Sequence, residues 1–177
     1  MRRAVFLDRD GVLNRAVVRG GRPYPPDTLE AIEVLPGARE VLERLRAAGF
    51  LVVVVTNQPD VATGRQRREV VDAMHARLGA ELAIDAFKVC YHIDADACAC
   101  RKPKPGMLLE AAAELGIDIA SSYLVGDRWR DVEAAQAAGC EALFIDYAYD
   151  EKRPEKPYVA VNSLAHAVEH ILASTRG

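Results

Sequence analysis

The chain has 177 residues, a formal net charge of −3 and a hydrophobic fraction of 50%, which suits one globular domain, residues 1–177, burying about two thirds of its unfolded surface. This slight acidity excludes a nucleic-acid binder driven by bulk positive charge, and no apolar run approaches the ~20 residues that cross a bilayer. Met1-Arg2-Arg3 leads straight into the first apolar run, so no leader is expected and the chain is read as cytoplasmic.

Ala4, Val5, Phe6 and Leu7 form a continuous apolar run, as a strand buried on both faces of a parallel sheet requires. The run delivers Asp8 to the strand's carboxyl end, and side-chain alternation would bring Asp8 and Asp10 to one point with Arg9 directed away. Two carboxylates this close imply a cation between them or a shared proton; a solvated acidic turn is the other reading. Residues 15–37 show little periodicity. Gly20-Gly21 with Pro23, Pro25 and Pro26 reads as a loop, and its Arg15, Arg19 and Arg22 could lean over an anion, or simply be solvated.

A helix is expected over 38–49, with Val41, Leu42 and Leu45 on its apolar stripe. The apolar strand 50–55 follows and runs into Thr56-Asn57-Gln58. A right-handed crossover places Thr56 beside Asp8, where a hydroxyl and main-chain amides can hold phosphate oxygens. A second helix is expected over 65–82, packing through Val70, Val71, Met74 and Leu78.

The strand 87–92 delivers Cys90 and His92, and Cys98 and Cys100 follow. Three thiolates and an imidazole on two short arms fit a closed, structural zinc site that pins a loop poor in apolar residues; free thiols or a strained disulfide are the alternatives. Lys102 comes next in Arg101-Lys102-Pro103-Lys104-Pro105-Gly106. A cation held between metal ligands and prolines has the fixed position that stabilising a developing charge demands.

The strand 122–126 ends in Asp127, and the helix behind it carries Asp131. Carboxylates at neighbouring strand ends, completed by water and substrate oxygens, describe a Mg²⁺ site. A strand over 140–145, with Cys140 buried, an extended piece over 158–162 and a helix from Ser163 close the chain. His75, His166 and His170 read as surface or packing residues, and Trp129 as either packing or site lining.

The motifs Leu7-Asp8-Arg9-Asp10-Gly11, Thr56-Asn57-Gln58, Arg101-Lys102-Pro103 and Gly126-Asp127 with Asp131 occur in the order seen in the haloacid dehalogenase superfamily of phosphohydrolases, which the chain resembles over residues 4–145. The cysteine-rich insert is similar to the zinc loop of its heptose bisphosphate and histidinol-phosphate phosphatase group. The resemblance implies a three-layer, Rossmann-like α/β fold around a central parallel sheet, with a zinc loop and no large cap domain. It implies Asp8 as nucleophile, Asp10 as general acid and base, and Thr56 and Lys102 on the phosphoryl oxygens. Mg²⁺ would lie on Asp8, Asp10 (through its main-chain carbonyl) and Asp127, with Asp131 behind them. Zn²⁺ would sit on Cys90, His92, Cys98 and Cys100. Substrate contacts are expected from Arg19, Gly20, Gly21, Asn57, Gln58, Arg101 and Arg128. The partner implied is a small phosphorylated metabolite, a heptose bisphosphate first and histidinol phosphate second. Neither nucleic acid nor membrane is expected as a partner, and the chain is expected to be a monomer or small homo-oligomer. Pro59-Asp60 stands where relatives tend to carry Ser-Gly, placing a negative charge near the substrate.

Overall fold

All of Ala4 to Leu7 is inaccessible to solvent, and this run forms the central strand, β1 (Arg3–Leu7). In this computed structural model, which describes residues 1–175, a short antiparallel hairpin follows, β2 (Val17–Arg19) with β3 (Arg22–Tyr24). The hairpin replaces the loop expected there. Gly20 and Gly21, at φ of 55° and 76°, make its two-residue turn, the left-handed conformation such tight hairpins require.

The chain then alternates helix and strand. α1 (Ala38–Ala47), β4 (Phe50–Asn57), α2 (Arg68–Glu81) and β5 (Ala86–Cys90) form one half. α3 (Gly106–Leu115), β6 (Tyr123–Gly126), α4 (Trp129–Ala138), β7 (Glu141–Ile145), β8 (Val159–Val161) and α5 (Leu164–Ser174) form the other. α2 starts three residues later than its pattern suggests because residues 59–67 are taken up in turns. β5 stops at Cys90, leaving His92 beyond the strand.

The six main strands are parallel, in the order β5-β4-β1-β6-β7-β8. Strand alternation divides the interior into two cores. Val5, Leu7, Val52, Val54 and Val125 meet Leu42, Leu45, Met74, Leu78, Val168 and Ile171 of α1, α2 and α5. Ala4, Phe6, Val53, Val55 and Leu124 meet Met107, Leu108, Ala111, Val132 and Ala135 of α3 and α4. These are the three layers expected, and no cap domain is inserted among the described residues. No helix there is long and apolar enough to cross a membrane.

From β1 the chain moves outward to β4 and β5, then returns to lay β6 on β1's other side. The order therefore reverses between β1 and β6, and the carboxyl ends of strands at such a reversal form a crevice. Asp8 follows β1 and Asp127 follows β6. Phe6, fully buried two residues before Asp8, supports that junction from below. Phe6→Ala should lower stability by about 3–5 kcal/mol, read as a fall in urea midpoint with an unchanged slope.

Candidate active site

Asp8 closes the crevice's floor. Its main-chain N–H donates to the Val125 carbonyl at 3.1 Å, tying β1's end to β6. Its Oδ1 accepts from the Arg9 N–H at 2.9 Å and from Lys102 Nζ at 3.0 Å. Lys102, only 2% exposed, also donates to Asp131 Oδ1 at 2.6 Å and to the Val55 carbonyl at 2.7 Å. All three ammonium hydrogens are thereby used, which fixes the cation in direction as well as place.

Oxygens of Asp8, Asp127 and Asp131 lie within 4.8 Å of one another. Asp131 is fully engaged, since its Oδ2 takes the Arg128 N–H at 3.0 Å. It reaches inward because Gly126 has no side chain; a Cβ there would lie 2.2 Å from Asp131 Cβ. Burial pushes the Asp8 carboxyl up to about 6, with Asp131 and Asp10 adding to the rise and Lys102 opposing it. Asp127 is raised well above the carboxylate range by burial, then by Asp8 and Asp131. Burial alone would lower the Lys102 pKa, but Asp131 and Asp8 overcome it and hold it raised. Three carboxylates against one ammonium leave two negative charges, the deficit that one divalent cation fills. Asp127 Oδ1 is buried without any hydrogen-bond partner. This donor set, oxygen only and one atom short of satisfaction, fits Mg²⁺.

Asp10 is not a member of this carboxylate cluster but lines the cavity beside Asp8, and its carboxylate is held by its own set of donors. Arg9 Nη2 bonds both its oxygens at 2.9 and 3.1 Å, Asn14 donates to Oδ1 at 3.0 Å, and Gln58 donates to Oδ2 at 3.0 Å. The expectation that Arg9 points away from the site is therefore corrected. The strand ends at Leu7, so alternation lapses, and Arg9, wholly buried, wraps beneath Asp10. Its Nη1 lies 3.2 Å from His75 Nε2, and the His75 ring stacks on Phe87. His75 is thus a buried packing residue. His166 accepts from the Asn162 N–H and His170 pairs with Glu141.

The remaining expected residues divide into those in contact with the cavity and those behind it. A cavity of about 280 Å³ opens above Asp8 and is lined by Asn57, Arg101, Lys102 and Arg128, with Pro59 and Asp60 on one side. Thr56 and Gln58 lie beneath it, buried, with Gln58 Nε2 bonded to Thr56 Oγ1 at 2.9 Å. Asn57 clamps the Lys102 main chain with both amide atoms, at 3.1 and 3.0 Å. Arg19, Gly20 and Gly21 do not line the cavity. Arg19 pairs with Asp27, and the hairpin instead offers Arg22, Pro23 and Tyr24. Arg19 and Arg22 are cross-strand partners, and β3 rather than β2 or the turn borders the cavity. A Gly-Gly pair between Val-Val-Arg and Arg-Pro-Tyr is itself a hairpin signal that could have located these residues.

Arg130, which stands beside Asp131 in the stretch after Asp127, also lines the cavity. It shares Asp94 with Arg101: Arg101 Nε is 2.8 Å from Oδ1, and Arg130 Nη2 is 3.1 Å from Oδ2. Arg128 pairs with Glu151 through Nε at 3.0 Å. Trp129 is not among the lining residues; Arg130 and Lys152 lie over its ring.

The ligand atoms of Cys90, His92, Cys98 and Cys100 also lie within 4.8 Å of one another. Cys90 Sγ is 3.0 Å from Cys100 Sγ and 3.7 Å from Cys98 Sγ, and His92 Nδ1 is 3.3 Å from Cys100 Sγ. None of the four cysteines forms a disulfide. Burial pushes the Cys90 thiol up to about 12, so its thiolate calls for a bound cation. Three sulfurs and one nitrogen facing one point fit tetrahedral Zn²⁺.

Residues 15–139 match the family model of haloacid dehalogenase-like hydrolases, the class that the four strand-end motifs resemble. The D-glycero-beta-D-manno-heptose-1,7-bisphosphate 7-phosphatase of Pseudomonas aeruginosa is 38% identical over 151 residues, 81% of each chain. The D-glycero-alpha-D-manno-heptose-1,7-bisphosphate 7-phosphatase of Mycobacterium tuberculosis is 36% identical over 94% of this chain and 91% of its own. The crystal structure of D,D-heptose 1,7-bisphosphate phosphatase from B. bronchiseptica, complexed with magnesium and phosphate, superposes with a TM-score of 0.83 at 30% identity. It covers 97% of this chain and 99% of its own. The chain belongs to the heptose-1,7-bisphosphate 7-phosphatase family within these hydrolases and is a phosphoric monoester hydrolase.

His75 gives the site a pH signature. Burial, and then Arg9, push its pKa down to about 4 from 6.5, so the unfolded chain takes up a proton before the folded one does. Its contribution to stability is complete above pH 6.5 and is lost as pH falls from 6.5 toward 4. The stability difference between the native chain and His75→Gln should narrow by about 2 kcal/mol between pH 7.5 and pH 5, as measured by urea unfolding.

Proposed function

We propose that this chain hydrolyses the 7-phosphate of a D-glycero-D-manno-heptose 1,7-bisphosphate through an aspartyl phosphate on Asp8. The observation that carries this reading is the buried Asp8 carboxylate, held by Lys102 at 3.0 Å at the base of a cavity edged by Arg22, Arg101, Arg128 and Arg130. One phosphate of the substrate would meet Asp8, and the other would meet the arginines. Arg101 and Arg130 share the single Asp94 carboxylate, and Arg22 has no ion-pair partner among the described residues. The rim therefore retains positive charge for a distal phosphate.

In the first step Asp8 attacks phosphorus and the bond to the sugar oxygen breaks, with Asp10 giving its proton to the leaving alkoxide. In the second, Asp10 takes a proton from water, whose oxygen attacks phosphorus and frees Asp8 and inorganic phosphate. Lys102 sits beside the phosphoryl oxygens as their charge develops. Thr56 acts from below, through the strand end it shares with Gln58. Asn57 serves this step indirectly by fixing the Lys102 main chain, while Arg9, Asn14 and Gln58 hold Asp10 in place. Mg²⁺ on Asp8, the Asp10 carbonyl and Asp127 supplies the neutralisation that lets a dianionic phosphate approach three carboxylates. Zn²⁺ on Cys90, His92, Cys98 and Cys100 pins the loop from which Arg101 and Lys102 emerge.

A second reading, histidinol phosphate, rests on Asp60, whose carboxylate lines the cavity and could receive a cationic amine. Phosphate release from both heptose bisphosphate anomers, histidinol phosphate and common sugar phosphates separates the two. A heptose bisphosphate should lead by at least a hundredfold in kcat/KM, about 2.7 kcal/mol; a lead for histidinol phosphate overturns the proposal. Asp8→Asn should abolish turnover while circular dichroism shows the fold retained.

Zinc removal has its own readout. A thiol-competitive chelator in Mg²⁺-free buffer should lower the melting temperature by about 5–15 °C, the shift that about 2–4 kcal/mol produces in a chain this long. Cys98→Ser should melt at the lower temperature with or without chelator.

A further inference from the structure

After β7 the chain does not run directly to β8. Residues 146–154 fold back over the carboxyl ends of the strands and touch the site at three points. The Tyr147 hydroxyl donates to the Gly11 carbonyl at 2.9 Å, the Tyr149 hydroxyl donates to Asp127 Oδ2 at 2.8 Å, and Glu151 receives Arg128. The segment is braced at its other contacts as well. Asp146 accepts the Ala148 N–H at 2.8 Å and pairs with Arg153, and the Asp150 N–H donates to the Gly21 carbonyl of the hairpin at 2.8 Å. Ala148 sits at φ 54°, a left-handed conformation that a residue with a Cβ keeps only when its surroundings enforce it.

We infer that Tyr149 is a positioning residue for the metal: by capping Asp127 Oδ2 it leaves Oδ1 as the one oxygen of that carboxylate presented to Mg²⁺. This rests on the metal assignment made above. A carboxylate can exchange its two oxygens by rotation about its last bond, and the hydrogen bond from Tyr149 removes that equivalence. The partnerless buried oxygen is Oδ1, the one that Tyr149 does not hold. Gly11 makes the arrangement possible. A Cβ at Gly11 would lie 2.0 Å from Asp127 Oδ2 and 3.3 Å from the Tyr149 hydroxyl, so only glycine lets carboxylate and phenol meet there. A phenol is a donor at neutral pH, and its acceptor here is the Asp127 carboxylate. Partners that orient metal ligands in this way typically change metal affinity about 10- to 100-fold.

The test is direct metal binding without substrate. Mn²⁺ is titrated into the full chain and followed by its electron paramagnetic resonance signal, with Mg²⁺ as competitor. Tyr149→Phe should weaken both ions at least about tenfold and raise the Mg²⁺ requirement of phosphatase turnover by the same factor. Its metal-free circular dichroism spectrum should stay native, since the ring is kept. Tyr147→Phe, which removes a hydroxyl from the same segment, should bind Mn²⁺ as the native chain does. Native-like Mn²⁺ affinity in Tyr149→Phe overturns the inference and leaves the metal site standing, as does equal weakening in Tyr147→Phe, which would show general loosening of the segment. Native affinity in Asp127→Asn overturns the metal assignment, and this inference with it.

Discussion

The structure depends on one buried ammonium. Lys102 stands among Asp8, Asp131 and the Val55 carbonyl with almost no exposure to water. Burying a cation is tolerable only with full hydrogen bonding and opposite charge nearby, and here both conditions are met by groups from three different strand or helix ends. Asp8, Asp127 and Asp131 could not crowd together without it. Even so the cluster remains negative, and the rise in the Asp8 and Asp127 pKa values expresses the same missing charge that a divalent cation would supply.

Around this centre, residues with no reacting atom of their own do the holding. Asn57 seizes the Lys102 main chain, so the lysine's position does not depend on its long flexible side chain alone. Arg9 grips Asp10 from below and is itself braced by His75, which stacks on Phe87. Gly126 gives Asp131 its path inward. The reversal of strand order between β1 and β6 collects these pieces at one end of the sheet. The apolar cores on both faces then resist displacement, because packed interiors yield little.

The parallel sheet was legible because its strands are continuous apolar runs, and each ends in the polar residue that matters. Asp8, Lys102, Asp127 and the Cys/His cluster were legible for the same reason: local pattern and local chemistry coincide there. Arg9 was misjudged because alternation was carried two residues past the end of β1. The hairpin shifted the substrate rim from Arg19, Gly20 and Gly21 to Arg22 and Tyr24, although its Gly-Gly turn was written in the chain. Tyr149 and Glu151 had no local signal at all. They reach the site only because the fold brings a distant segment back across it, and no periodicity within that segment reports where it will land; Arg130, by contrast, stands beside Asp131 at the start of α4.

The site's construction also bears on how the protein comes into being. Lys102 and Asp8 are separated by 94 positions, and the Asp8 N–H meets the Val125 carbonyl of β6, a spatial neighbour from the second half of the chain. Contacts of such sequence separation form late, after the entropy of closing long loops has been overcome. Asp8, Lys102 and Asp127 therefore come together only once both halves of the sheet have joined. During synthesis on the ribosome, a nascent chain that has not yet released β6 is without the site, however well its first half has folded.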